Sequence, residues 1–399
     1  MLQPLIYLDN HATTRVDPEV VQAMEPYWTE LYANPGSVNH EAGRFVASQI
    51  TEAQTRMAAL LGADAEELVF TSGATEANNL ALLGVCLHPR QPRRKVVSVV
   101  TEHRAVFDPL RRLDRFGFEI VQLPVLQHPH PTAGLLDLQR IFDQIDESVA
   151  MVSVMLANNE IGALADLAPI GKACAAKGVW LHTDATQAVG KIPIDVDRLN
   201  VDLLSFSAHK FYGPKGIGGL YVRNRHRRVR LDPQMLGGGH QHNRRSGTLP
   251  VPGIMGMDRA MTLAHSKMEV ESNQNQNLRN RLWKTLKAGI PELELNGPDL
   301  ANSMHRLPQN LNCFFPGIEG QTLMLRVPFV ACSSGSACTS HMPEPSHVLR
   351  ALGRSEDEAR SSLRFGVGRF TTENQIDTAA QAFIEAYWDC RKQYQSQQQ

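Results

Sequence analysis

Val201-Asp-Leu-Leu-Ser-Phe-Ser-Ala-His-Lys-Phe-Tyr-Gly-Pro-Lys-Gly216 is the stretch on which the fold turns. The apolar run over residues 201–206 predicts a buried strand, and the glycines and proline that follow predict a turn. Lys210 stands directly after that strand, behind a histidine and among small residues. Partial burial in such a setting makes an amine nucleophilic enough to form a Schiff base with a carbonyl cofactor. Taken alone, the lysine reads equally well as a basic strand cap.

Working outward, strand-like and helical segments alternate over residues 65–225. Strands are expected at 67–71, 95–101, 119–123, 150–155 and 179–184, with helices near 76–83 and 105–116. Apolar strands separated by amphipathic helices predict an α/β fold with a mostly parallel sheet covered on both faces. Ligands bind at the carboxyl ends of the strands in such sheets. Past residue 260 a long polar helix, about 257–289, precedes shorter elements and predicts a smaller α+β domain. The glutamine-rich end, residues 391–399, is expected to fray.

The chain has 399 residues, a formal net charge of -1, 42% hydrophobic residues and 20% charged ones. Length favours two domains. The balanced charge gives nothing for nucleic acid or an anionic membrane to hold, and no run approaches the ~18 apolar residues of a membrane span. The six cysteines show no framework spacing, which points to a reducing cytoplasm. No signal peptide is expected at the N-terminus.

Candidate site residues fall at the predicted strand ends. Ser72-Gly-Ala-Thr-Glu76 joins a strand to a helix, so the first helical N–H groups and the Thr75 hydroxyl are suited to a phosphate. Asp184, in His182-Thr-Asp-Ala-Thr-Gln187, ends a buried strand and can keep a pyridinium nitrogen protonated. His103 can stack on an aromatic ring and move protons. Asn158-Asn-Glu-Ile-Gly162 offers amides to a phenolic oxygen. Each motif alone reads as a cap or turn; together they describe a pyridoxal phosphate site. Cys338, in Ser333-Ser-Gly-Ser-Ala-Cys-Thr-Ser340, sits among small polar residues that suit an exposed, mobile nucleophile. A metal site of Cys332, Cys338, His341 and His347 matches no standard zinc spacing. Arg364 can clamp a carboxylate bidentately.

With these residues in place the chain resembles the cysteine desulfurases of the NifS/IscS type, a branch of the class V aminotransferases of PLP fold type I. The likeness runs through Tyr7-Leu-Asp-Asn-His-Ala-Thr-Thr14, Asn34-Pro35, Gly73-Ala-Thr-Glu-Ala-Asn-Asn79, Ser207-Ala-His-Lys210, Arg245-Ser-Gly-Thr248, Ser334-Gly-Ser-Ala-Cys-Thr-Ser340 and Arg364-Phe. The resemblance implies conversion of L-cysteine to L-alanine, with sulfur passing as a persulfide through Cys338 to an iron–sulfur scaffold or other acceptor protein. It implies that Lys210 attaches the cofactor, Asp184 pairs with its ring nitrogen and His103 stacks on it. Asn159 and Gln187 would hold the phenolic oxygen. Ala74, Thr75, Ser207, Ala208 and His209 would hold the cofactor around its phosphate. Thr248 would reach the phosphate of a neighbouring subunit, making a homodimer, and Arg364, Asn34 and Asn159 would bind substrate. No stable metal is implied beyond Cys338 as a transient iron–sulfur ligand. The implied large domain spans residues 16–260; residues 1–15 with 261–399 form the small one, carrying the cysteine loop at 331–342. A selenocysteine lyase, a conventional class V aminotransferase and a sulfur-carrier protein with a vestigial site stay open at this point.

Overall fold

The computed structural model describes residues 4–334 and 344–397. Its strands are β1 (Ile6–Tyr7), β2 (Leu68–Thr71), β3 (Lys95–Val99), β4 (Glu119–Leu123), β5 (Val149–Ser153), β6 (Trp180–Asp184), β7 (Leu203–Ser207), β8 (Gly218–Val222), β9 (Glu294–Leu295), β10 (Asn310–Phe314), β11 (Val330–Ala331), β12 (Ser333–Ser334) and β13 (Ser362–Gly366). Seven of them form one sheet in the order β2-β8-β7-β6-β5-β3-β4. The pairs from β4 through β7 are parallel. β8 runs antiparallel to both its neighbours, so β2 points the same way as β7. Helices cover both faces, which explains why β5, β7 and β8 are buried at every position.

β8 was not among the expected strands. Its opening glycines disguise it, because glycine is a poor strand former. Packing requires them: a Cβ on Gly218 would lie 2.4 Å from the Phe206 carbonyl oxygen, and one on Gly219 2.4 Å from the Phe206 ring. The segment Gly216-Ile-Gly-Gly is therefore the meeting of a turn and a close-packed strand.

A second sheet, β12-β13-β10-β9, is antiparallel, and β1 pairs in parallel with β11. Its core gathers Ile6, Leu8, Leu282, Phe315, Phe365, Phe383 and Tyr387. The N-terminal strand thus belongs with residues more than three hundred positions away. The long helix starts at Val251, earlier than expected, and runs 39 residues to Gly289. Its first half packs in the large-sheet core through Ile254, Met257 and Ala264, and its second half in the smaller core through Leu278, Leu282 and Leu286.

The expectation of a frayed tail from residue 391 is corrected: the last helix spans Glu373–Gln397. Glutamine is a good helix former, and Gln393 accepts from Arg326 at 2.5 Å, tying the end to the body.

Arg306 is buried with 0% exposure. Its guanidinium donates to the carbonyls of Asn296 (2.9 Å), Pro298 (2.6 Å) and Asn310 (3.3 Å), and to Asn310 Oδ1 (2.9 Å). Burial pushes its pKa down to about 9, so it remains cationic at neutral pH. Removing it orphans four acceptors where water has no ready access. Arg306→Met is expected to cost about 3–5 kcal/mol in urea unfolding; a loss under about 1 kcal/mol would mean that the acceptors find other partners.

Candidate active site

The parallel strands deliver their carboxyl ends to one cavity of about 620 Å³. Ser72–Thr75 after β2, His103 after β3, Met155, Ala157 and Asn159 after β5, Asp184, Thr186 and Gln187 at β6, and Ser207, His209 and Lys210 after β7 all line it. Arg364 enters from β13 of the second sheet, and His11, Ala12 and Thr13 from the N-terminal segment. Of the sequence-derived candidates, Lys210, Asp184, His103, Asn159, Gln187, Ala74, Thr75, Ser207, His209 and Arg364 therefore meet at one place. Ala208 is wholly buried beneath it. Asn34 and Thr248 instead share a second cavity of about 280 Å³, together with Gln241 and Leu249. Cys338, with His341 and Met342, lies outside the described residues.

Lys210 ends a single 3-10 turn, Ala208–Lys210, and its Nζ donates to the carbonyl oxygens of His11 and Ala12, both at 2.7 Å. Burial pushes its pKa down to about 8; Arg364 adds to the shift, and Asp184 and Asp9 oppose it. An amine so placed is deprotonated in useful amount near neutrality.

Asp184 is nearly enclosed. Its Oδ2 accepts from Asn78 at 2.7 Å and its Oδ1 from the Thr186 N–H at 2.9 Å. Beside it, Glu102 is fully buried, with Oε1 accepting from the Met155 N–H at 2.5 Å and Oε2 without a partner among the described residues. Burial, reinforced by Asp184, raises the Glu102 pKa well above the ordinary carboxylate range. Burial thus favours the neutral form of Glu102.

His103 caps the helix Arg104–Asp114, its Nδ1 accepting from the Ala105 N–H at 3.0 Å. That bond makes Nε2 the protonated nitrogen of the neutral ring. Solvent reaches the ring through the cavity, yet the desolvating walls still lower its pKa. His347, of the metal alternative, is engaged elsewhere: its Nε2 donates to the Glu102 carbonyl at 2.9 Å.

Opposite lies the start of the helix Ala74–Cys86, with Gly73 as its cap at φ 150°. Free N–H groups at such a terminus attract an anion. His209 Nδ1 is 3.1 Å from Thr13 Oγ1, and burial holds its pKa at about 4. Arg364 donates to the Asn159 carbonyl (3.0 Å), Asp9 Oδ1 (2.9 Å) and Ser333 Oγ (3.1 Å), while its Nε has no partner among the described residues.

The N-terminal contribution was not legible as a site. Thr14 bonds the His209 carbonyl through both N–H (2.9 Å) and Oγ1 (3.0 Å), and its hydroxyl accepts from the Tyr212 N–H at 2.8 Å. The run Asp9-Asn-His-Ala-Thr-Thr14 therefore clasps the lysine turn. Its small and hydroxyl residues were the available signal.

Residues 6–378 match the Aminotransferase class-V family model. The "Cysteine desulfurase IscS" of Methylobacillus flagellatus is 48% identical over 377 residues, 94% of this chain and 90% of that protein. A solved NifS-like protein superposes with a TM-score of 0.86 at 32% identity, covering 96% of this chain and 98% of that one. SspA, solved in complex with cysteine, gives a TM-score of 0.77 at 30% identity, covering 92% and 100%. The lysine turn, the buried carboxylate at a strand end and the helix terminus facing them across one cavity agree with that kinship, and the chain belongs to the class-V aminotransferase family as a cysteine desulfurase of the IscS/NifS type.

Proposed function

We propose that this chain converts L-cysteine to L-alanine, with pyridoxal 5′-phosphate held in the large cavity and sulfur leaving on Cys338. The observation that carries the reading is the convergence of Lys210, Asp184, His103, Arg364 and the helix start at Ala74 on one cavity. The residues fit the cofactor by their chemistry. Ala74, Thr75, Ser207 and His209 supply donors for a phosphate, and Asp184 supplies the anion a ring nitrogen needs. Thr186 Oγ1 and Arg364 Nε are buried beside the cavity without partners among the described residues, as expected of atoms reserved for bound groups.

When bound, the cofactor supplies an electron sink for the pair released at the substrate Cα. Lys210 holds the cofactor by its amine and afterwards moves the Cα proton. Asp184 keeps the ring nitrogen protonated, while Asn159 and Gln187 hold the ring oxygen. Arg364 binds the substrate carboxylate, and His103 moves a proton at the reacting end. Cys338 forms a bond from its Sγ to the substrate sulfur as the Cβ–S bond breaks. The electron pair stays on Cβ, which takes a proton. L-Cysteine and a Cys338 thiol thus give L-alanine and a Cys338 persulfide, with no outside oxidant. The persulfide then passes to an acceptor such as an iron–sulfur scaffold. Thr248 and Asn34, away from the large cavity in one chain, fit a homodimer in which Thr248 serves the neighbouring site. Among the described residues no helix is long and apolar enough to cross a membrane.

Single-turnover incubation with L-cysteine, without reductant or keto acid, is expected to give one alanine and one sulfane sulfur per active site. A requirement for keto acid would make the protein an aminotransferase. Turnover confined to L-selenocysteine would make it a selenocysteine lyase. Absence of bound cofactor would leave a sulfur carrier.

A further inference from the structure

Behind Gln187 lies a relay of buried side chains whose donor and acceptor roles are fixed from both ends. Arg306 can only donate, so the oxygen of Asn310 that it contacts at 2.9 Å is Oδ1. The Asn310 amide therefore turns its N–H groups outward, to the Glu160 carbonyl at 3.0 Å and to His11 Nε2 at 3.2 Å. With Nε2 accepting, His11 carries its proton on Nδ1, which meets Gln187 Oε1 at 3.0 Å. Lys191 Nζ donates to the same Oε1 at 3.0 Å, and Gln187 Nε2 donates to the His11 carbonyl at 2.9 Å.

Turned over, the Gln187 amide would set its N–H groups against the His11 N–H and the Lys191 amine, and its oxygen against a carbonyl. In the orientation observed, one Nε2 hydrogen is engaged behind and the other has no partner among the described residues, on a side chain that lines the large cavity.

We propose that Lys191, with His11, is a positioning residue that locks Gln187 as a hydrogen-bond donor toward the cofactor's ring oxygen. This rests on the cofactor reading above. Lys191 itself lines not the large cavity but a small one behind it, beside Tyr212 and Glu271. His11 is buried and held neutral, chiefly by that burial. Burial, Lys210 and Arg364 push the Lys191 pKa down to about 7, and neither protonation state removes its ability to donate.

The test is the visible band of the bound cofactor, titrated against pH in wild type, Lys191→Met, Gln187→Ala and the double variant. Losing an oriented N–H raises the proton affinity of an acceptor at that spot. Lys191→Met is therefore expected to move the midpoint up by about one pH unit. If Lys191 acts through Gln187, the substitution adds little further shift in the Gln187→Ala background. An equal shift in both backgrounds would reduce Lys191 to a bare charge, and no shift in either would remove its role; both overturn the proposal. Should Lys191→Met fail to fold, His11→Ala, which deletes the other donor, is expected to shift the midpoint the same way and likewise to lose its effect without Gln187. An unshifted His11→Ala would overturn the proposal too. A wild type without the visible band would instead overturn the cofactor reading, and this inference with it.

Discussion

Lys210→Ala is expected to lower L-cysteine turnover by roughly a thousandfold or more, while the protein stays at least as stable as wild type at pH 7. In the proposed mechanism two functions are lost together: the amine that attaches the cofactor and the base that moves the substrate proton. Nearby cations do not replace it. Lys191 sits behind Gln187 on a separate small cavity, and Lys215, which lines the large one, belongs to the turn before β8. The stability expectation follows from linkage. The folded-state pKa of Lys210, about 8, lies below the ordinary 10.5, so the folded protein holds this proton less tightly than the unfolded chain. In wild type this group therefore makes stability rise with pH between about 8 and 10.5, and it opposes folding below that window. Removing the amine flattens that part of the profile. Urea unfolding at pH 7 and pH 10, beside cofactor retention on dialysis, checks both halves. A variant that keeps its visible band through dialysis and turns over normally would mean that another amine holds the cofactor.

The parallel strands were legible because burial on both faces writes itself as apolar runs, and β5 and β7, buried at every position, appear within two residues of the stretches expected. Candidates at strand ends were legible for the same reason: the chain order of Thr75, His103, Asn159, Asp184 and Lys210 is the order of the strands they follow. β8 was hidden because its glycines answer to Phe206 on a neighbouring strand rather than to any local preference. Contacts from the N-terminal segment were hidden by distance along the chain. Lys210 meets carbonyls 199 and 198 positions away, and a carbonyl acceptor leaves no mark in residue type. The roles of Lys191 and His11 are of the same kind. A lysine after Val189-Gly190 reads as an ordinary helix-end cation until its partner is seen to be the oxygen of Gln187.

Cys338→Ala is expected to leave the cofactor bound and the fold intact, yet to reduce alanine and sulfane sulfur from L-cysteine by at least about a thousandfold. The structure supports this by what it does to the other cysteines. All five among the described residues are buried. Burial pushes the thiols of Cys86, Cys174 and Cys332 up to about 12, and that of Cys313 higher still. Cys390 is raised as well, again chiefly by burial. A thiol that holds its proton so firmly is a poor nucleophile at neutral pH and has no path to a substrate. Cys332 is the most searching control, since it immediately precedes Ser333, which bonds Asp9 and Arg364. Its side chain packs in the smaller core with Ile6 and Val330, so Cys332→Ala is expected to keep turnover within about threefold of wild type, as befits a thiol outside the chemistry. Mass spectrometry of the single-turnover product should find the extra sulfur on the peptide bearing Cys338. Sulfur carried by Cys332, or undiminished alanine from Cys338→Ala, would move the nucleophile elsewhere and leave the loop cysteine without a role.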